Sequence, residues 1–551
     1  MLDSSTRSAR AVVSELINAG VQHAVLAPGS RSAPLAIALL QAEAANLLSV
    51  HVRLDERDAG FLALGLAKAS RKPVPVLVTS GSAVANLFPA VVEGFQSGIP
   101  LVLLTADRPA ASRGTSAPQT INQNEIFGSF VKASYDISAN DFETTKFKTL
   151  LDLSQTSHAG PVHLNLQFEM PLVPAAEYLD WQPVVAVSTS SIQQQSAGVE
   201  LNLSSHGLVI AGDIQDVSEA KAVGQMAEQL GWPIICEPSS NLHHHPNTLA
   251  HGVLLAASDK LPNPEVVITA GTVGLSRPIL NLLKNAKQYY AIHLSGNGPD
   301  LPDPVQAADE ILDQVPAATC ADSSDWLDLW LRADEVASEI VARSLDTESL
   351  SGPAVALSVW NSAAASDQLV ISASWPVRHI ESFAPKREGL RVWGNRGANG
   401  IDGLISTAWG IGLTSDTHTY LLMGDVAFLH DIGALAVPEG VSEPDLTIVV
   451  IDNDGGGIFS QLEQGETTYA DYFEKAFGTP HGKDLWQICE SFDFPCTRVT
   501  TQSELTATLT RVKSVPGIQV VVCLTGSRIA ENDLLKQIRT QISSSLPSSA
   551  Q

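Results

Sequence analysis

Two apolar runs in this chain end in residues that could hold a hard cation. Thr419–Met423 runs into Gly424-Asp425, and Leu446–Ile451 runs into Asp452-Asn453-Asp454 followed by Gly455, Gly456 and Gly457. A carboxylate from Asp425, an amide oxygen from Asn453 and a backbone carbonyl near Gly455 would give Mg²⁺ oxygen ligands and leave positions for phosphate oxygens. The glycines let backbone N–H groups approach an anion closely. A strand–helix–strand unit with a Gly-rich turn and no ligand accounts for the same residues, so the rest of the chain has to decide.

Such residues work only if the fold brings strand ends together, and the pattern of the chain predicts this. Residues 5–110 alternate helix and strand signals: helix Ser8–Ala19, strand Ala24–Pro28, strand Leu48–Arg53, helix Glu56–Ser70, strand Val74–Thr79, helix Ala83–Gln96 and strand Pro100–Ala106. A strand at Pro161–Phe168 completes this block, and Val185–Ser205, rich in Ser, Gln and Val, reads as a linker. A second block carries strands at Leu208–Ala211, Pro233–Cys236, Val266–Ala270 and Tyr289–Leu294, and a helical connector spans Ser324–Arg343. The third block adds strands at Gln368–Ser372, Arg391–Gly394 and Gln519–Leu524 to the two described above. The expectation is an α/β fold of three consecutive α/β domains with mainly parallel sheets, over residues 1–184, 185–345 and 346–551. In parallel sheets ligands collect beyond the carboxyl ends of the strands. The first and third blocks share size and rhythm. The second shows few polar residues at strand ends apart from Asn241-Leu242-His243-His244-His245; neighbours in sequence cannot easily converge on one ion, so a solvated loop is expected there.

Composition narrows the function. Of 551 residues 44% are apolar and 17% charged, which describes a globular chain. The net charge of −26, from 33 Lys and Arg against 59 Asp and Glu, argues against nucleic acid as a partner. The start, MLDSSTRSAR, lacks the apolar core of a signal peptide, and no uncharged run of membrane-spanning length occurs, so no membrane role and a cytoplasmic location are expected. Five cysteines without C-x-x-C spacing indicate neither a disulfide framework nor a zinc site. No G-x-G-x-x-G follows a strand, and Gly478-Thr479-Pro480-His481-Gly482-Lys483-Asp484 misses the phosphate-loop pattern by one residue and by Asp484 at its end.

Gly424-Asp425 followed by Asn453 resembles the motif by which thiamine diphosphate enzymes hold their cofactor through Mg²⁺ or Mn²⁺; the motif usually reads Gly-Asp-Gly and closes on Asn-Asn, where this chain has Val426 and Asp452. Four further stretches are similar to signatures of the 2-succinyl-5-enolpyruvyl-6-hydroxy-3-cyclohexene-1-carboxylate (SEPHCHC) synthase family of menaquinone biosynthesis. They are Ala27–Leu35, Thr79–Leu87, Thr105–Pro109 and Asn395–Gly403, and the motif order holds along the whole chain. The resemblance implies decarboxylation of 2-oxoglutarate on the cofactor, then addition of the four-carbon carbanion equivalent to isochorismate. It also implies a homodimer or dimer of dimers with active sites at the subunit interface. Another thiamine diphosphate enzyme, such as an acetolactate synthase or a 2-oxoacid decarboxylase, is the alternative; Ser30-Arg31-Ser32 and Asn395-Arg396-Gly397 speak against its small apolar substrates.

The same resemblance assigns roles by motif position. Glu56 would meet the cofactor's aminopyrimidine ring, where an acid is needed to favour the imino tautomer; helix capping is the competing account of the acidic pair Asp55-Glu56. Ser30, Arg31, Arg108 and Gln119 would meet isochorismate, and Ser374, Arg378 and Arg396 would lie by the 2-oxoglutarate-derived group and the second substrate. Arginine suits dianions because its planar fork grips a carboxylate by two hydrogen bonds, although each could instead serve a surface ion pair. Ser80, Gly81, Gly424, Val426, Ala427, Gly456, Gly457 and Ile458 would join Glu56, Ser374, Asp425, Asn453 and Gly455 around the cofactor, with Asp425, Asn453 and Gly455 on the metal. Ile401 matches the apolar wedge that bends the cofactor, or is plain core, and Ile458-Phe459 would form a dry wall. His430-Asp431 and Asp452 receive no role.

Overall fold

Strands such as Val266–Ala270 and Leu446–Asp452 are buried along their whole length, which is why they read as unbroken apolar runs rather than alternating ones. The computed structural model describes residues 2–156, 158–183, 199–274, 276–321 and 323–547. Among the described residues three six-stranded sheets form, and every pairing between their strands is parallel.

The first sheet runs, across its width, Ser49–Val52, His23–Leu26, Val74–Val78, Leu101–Asp107, Val162–Gln167 and Ser134–Ser138. The third runs Arg391–Trp393, Gln368–Ile371, Thr419–Gly424, Leu446–Asp452, Ile518–Leu524 and Cys496–Val499. Ranked by chain order within each sheet, the two have the same sequence of strands, whereas the middle sheet (Thr248–Leu249, Ile234–Cys236, Gly207–Ala211, Val266–Ala270, Gln288–Ile292, Glu310–Leu312) is wound differently. The likeness of rhythm between first and third blocks is therefore a likeness of topology.

By packing, the described residues of 1–195, 397–416 and 431–443 make one compact unit, and those of 196–396, 417–430 and 444–551 make another. In the first unit the helices Ser4–Asn18, Ala33–Ala44 and Thr144–Gln155 pack their apolar residues on the sheet around Val12, Leu39 and Phe147. The helix Glu56–Ser70 is buried from Asp58 to Lys68 and packs on the helix Leu404–Gly412, so its sequence is apolar nearly all round. Asp55 caps it by accepting the Arg57 amide at 2.8 Å, which leaves Glu56 in the first helical turn with its carboxylate uncommitted to the cap.

Several expectations are corrected. The helix expected over Ala83–Gln96 is two, Ser82–Asn86 and Phe88–Gln96, because Pro89 cannot donate to the preceding turn. Strands Ser134–Ser138 and Cys496–Val499 gave no signal: both lie at a sheet edge, half-exposed and rich in polar residues. Of the expected linker, residues 185–198 lie outside the described residues, and Glu200–Leu203 is a strand paired with Ala317–Cys320. His243 and His245 are buried, each 9% exposed, and only His244 faces solvent, so the histidine run is no solvated loop. Its burial pushes His243 down to about 4, which keeps the ring neutral beside the Pro238 carbonyl.

Candidate active site

Parallel register puts Gly424 beside Ile451, so the two loops that follow these strands start side by side. Asp425 is 2% exposed and is held by backbone donors: its Oδ1 accepts from the Val426 amide at 2.6 Å, and Oδ2 accepts from the amides of Asn453 at 3.1 Å and Gly455 at 2.9 Å. One carboxylate thus ties the ends of both strands together. The Asn453 Oδ1 atom is buried without a hydrogen-bond partner. A buried acceptor left unmet costs about 1–3 kcal/mol, so an amide oxygen beside a carboxylate in this state fits a cation.

The Gly-rich loop is shaped for close approach. Gly455 has φ +132, and a Cβ there would lie 2.0 Å from the Gly478 carbonyl, which also accepts the Gly456 amide at 2.8 Å. No other residue type fits at 455. The stretch 478–484, set aside in the sequence as an imperfect phosphate loop, therefore folds over the candidate metal position. It carries His481, whose Nε2 lies 3.3 Å from Asp425 Oδ2 and 3.7 Å from Asp452 Oδ1. Asp425, Asp452 and His481 are the group among the described residues whose ligand atoms could share one metal ion. Burial, and then the charge of Asp425, push Asp452 up to about 6, while the hydrogen bond to Asp425 raises His481 against the effect of its own burial.

In the first unit the named residues again follow strand ends. Ser80 Oγ donates to the Gln119 carbonyl at 2.9 Å, and Gln119 Nε2 donates back to the Ser80 carbonyl at 3.1 Å, so these two hold each other. Gln123 Oε1 accepts the Gly81 amide at 2.9 Å. Arg108 Nε donates to the Pro118 carbonyl at 3.0 Å, next to Gln119, and Arg31 Nη1 donates to the Phe168 carbonyl at 2.9 Å. Burial lowers Arg31 and the charge of Arg108 lowers it further, while Asp107 works against both. Ser30 is exposed beside them, and Ile401 is half-buried. Glu56 stands apart with Asn86, whose Nδ2 donates to Glu56 Oε2 at 2.9 Å.

In the second unit a cavity of about 260 Å³ is lined by Trp375, Arg378, Arg396 and Ile458 together with Glu237 and Glu381. Arg378 Nη1 donates to the Ser374 carbonyl at 2.7 Å, and Ser374 has φ +72. Burial lowers Arg378; at Arg396 burial is again the largest single effect, but Glu237, 2.8 Å away, together with Asp213 and Glu381 raises it overall. Glu381 is pushed up to about 8 by burial and then by Glu237.

Strand-end loops that gather carboxylates and arginines are consistent with a site for charged ligands, and comparison with known proteins names the kind. Residues 6–126 match the thiamine pyrophosphate enzyme N-terminal TPP binding domain, 177–371 the middle domain of thiamine pyrophosphate enzymes, and 377–523 the C-terminal TPP binding domain. The chain is 39% identical to the 2-succinyl-5-enolpyruvyl-6-hydroxy-3-cyclohexene-1-carboxylate synthase of a Nocardioides species, over 98% of each chain. It is 38% identical to that of Renibacterium salmoninarum, again over 98% of each, and 37% identical to that of Saccharopolyspora erythraea over 94% of this chain. The chain belongs to the SEPHCHC synthase family.

Within that family's frame, the residues named from the sequence sit on a loop after a strand's carboxyl end or in the first turns beyond it, save Gly424, which is the last residue of its strand. Three residues of the site escaped sequence reasoning. His481 lies in a loop with no strand before it, so the strand-end rule could not reach it. Asp452 was seen but given no role. Glu237 directly follows the buried strand Ile234–Cys236 and answers to that rule, one of the few polar strand ends of the middle domain. Asp431, also left without a role, is fully buried and accepts the amides of Gly403 at 3.0 Å and Ile405 at 2.7 Å, which caps the helix Leu404–Gly412.

Proposed function

We propose that this chain is the transferase that takes the four-carbon residue left when 2-oxoglutarate loses CO2 and adds it to isochorismate, giving SEPHCHC in menaquinone biosynthesis. The observation that carries the reading is the relationship to curated synthases over 98% of both chains, with three matching thiamine pyrophosphate domains. Turnover of isochorismate that needs both 2-oxoglutarate and thiamine diphosphate tests it.

When bound, thiamine diphosphate supplies the electron sink that lets a 2-oxoacid lose CO2. The chain's own residues do the rest. Asp425, Asn453 and the Gly455 carbonyl hold Mg²⁺ or Mn²⁺, and the unmet Asn453 Oδ1 supports that assignment. Glu56, oriented by Asn86, holds a proton at the aminopyrimidine ring. Ile458 and Phe459 exclude water from the reacting carbon. Arg31 and Arg108 bind isochorismate; each follows the end of a parallel strand of the first sheet, where anions collect, and a guanidinium fork suits a carboxylate. The five free cysteines fit a reducing compartment such as the cytoplasm, and among the described residues no helix is long and apolar enough to cross a membrane.

Two predictions test this division. Arg31→Ala should raise the apparent KM for isochorismate far more than that for 2-oxoglutarate, with a loss of about 2–5 kcal/mol if a buried carboxylate is left unpaired. Arg31→Lys should recover only part, since lysine keeps the charge and loses the fork. Steady-state kinetics with each substrate varied in turn decide, and an effect confined to 2-oxoglutarate would mean that the arginines are wrongly divided.

The second concerns assembly: we propose a homodimer or dimer of dimers in which Glu56 of one chain serves the same site as Asp425 of another. Mixing inactive Glu56→Gln chains with inactive Asp425→Ala chains should then restore activity, because one site of each mixed pair carries neither change. No recovery after proven subunit exchange would place the site within one chain.

A further inference from the structure

The cavity in the second unit holds an ion pair that the proposed reaction has not used. Glu237 is 6% exposed at the end of Ile234–Cys236, and the Arg396 side chain is 11% exposed. Glu237 Oε2 accepts from Arg396 Nη2 at 2.8 Å, while Oε1 accepts from the Gly274 amide. A Cβ on residue 274 would lie 2.3 Å from Glu237 Oε1 and 2.6 Å from Arg396 Nη2, so the pair is packed against the Gly274 backbone and an added methyl would force both side-chain ends to shift. The middle sheet's loops thus grip an arginine of the third sheet through one carboxylate.

A guanidinium has five N–H donors in one rigid plane. Fixing one edge of it on a buried carboxylate that is itself fixed to backbone sets that plane. The carboxylate also compensates a charge that would otherwise be costly to bury. We propose that Glu237 is a positioning residue for the transferase reaction: by bridging Arg396 and the Gly274 amide, it fixes the plane in which the Arg396 guanidinium faces a substrate carboxylate. This rests on the reading of Arg396 as a substrate-binding arginine.

The test is a double-mutant cycle on the full-length enzyme loaded with thiamine diphosphate and Mg²⁺. Glu237→Gln keeps the shape, removes the charge and turns an amide N–H toward one of two donors. It should raise the apparent KM for at least one substrate by about 10–100-fold, by analogy with the loss when a group that orients a metal ligand is removed. Thiamine diphosphate affinity and the unfolding midpoint should stay near those of the parent. In the Arg396→Ala background the same change should add nothing, because a residue that acts only through Arg396 has nothing left to position.

Gly274→Ala, which crowds the carboxylate while keeping its charge, should show the same rise and the same coupling, and it serves if Glu237→Gln does not fold. Additive losses, or an unchanged KM in both variants, overturn the positioning role. If Arg396→Ala alone weakens substrate binding but the cycle is additive, only this proposal fails. If Arg396→Ala leaves both KM values unchanged, the substrate reading of Arg396 fails with it.

Discussion

Asp425→Ala is expected to abolish measurable binding of thiamine diphosphate in the presence of Mg²⁺. Asp425 joins the two strand ends through the amides of Val426, Asn453 and Gly455, and it is the buried charge beside the unmet oxygen of Asn453. Removing it takes away a charged ligand and leaves a diphosphate uncompensated. Loss of groups that merely orient metal ligands typically costs about 10–100-fold in affinity, so loss of a ligand itself should cost at least that much. The three released amides can bond water at the loop, and the buried strands Thr419–Gly424 and Leu446–Asp452 should keep the fold. Calorimetric titration of cofactor into metal-loaded protein gives the answer, with circular dichroism as the control for folding. Unchanged affinity would remove Asp425 from the metal site.

Glu56→Gln should separate chemistry from binding. Glutamine keeps the length and can still meet Asn86, so the folded chain should retain the cofactor. It cannot take up or give a proton as a carboxyl does, and turnover should fall by the 10²–10⁴-fold (order of magnitude) typical of lost acid–base catalysis. Asp55, not Glu56, caps the helix, so the change should leave the helix start and the unfolding midpoint nearly untouched. Near-normal turnover would mean that another acid serves the ring.

The sequence told much about this site because it consists of loops after buried parallel strands. An apolar run such as Leu446–Asp452, ended by Asn and Gly, is visible without any structure, and so is the Asp425 that precedes it in the neighbouring strand's loop. Edge strands were not visible, since Ser134–Ser138 and Cys496–Val499 bury too little to need apolar residues. The histidine run misled because alternate burial within one loop, with His243 and His245 inward and His244 outward, leaves no periodic trace that separates it from a solvated stretch. Long-range pairs are invisible for a different reason: nothing local to Glu237 or Arg396 states that the two meet across 159 positions. His481 reaches Asp425 in the same way, from a loop with its own unrelated pattern. Residues that act on one another through the fold, rather than through a strand end, are those that the structure had to supply.

The most direct measurement is product formation by the purified chain, followed by mass spectrometry, with isochorismate and carbon-labelled 2-oxoglutarate. The account predicts a product that joins four of the 2-oxoglutarate carbons to isochorismate, with the fifth released as CO2. It further predicts that formation stops when thiamine diphosphate is omitted or Mg²⁺ is chelated, and that pyruvate does not replace 2-oxoglutarate. Product made without the cofactor, or efficient use of pyruvate with no consumption of isochorismate, would contradict it.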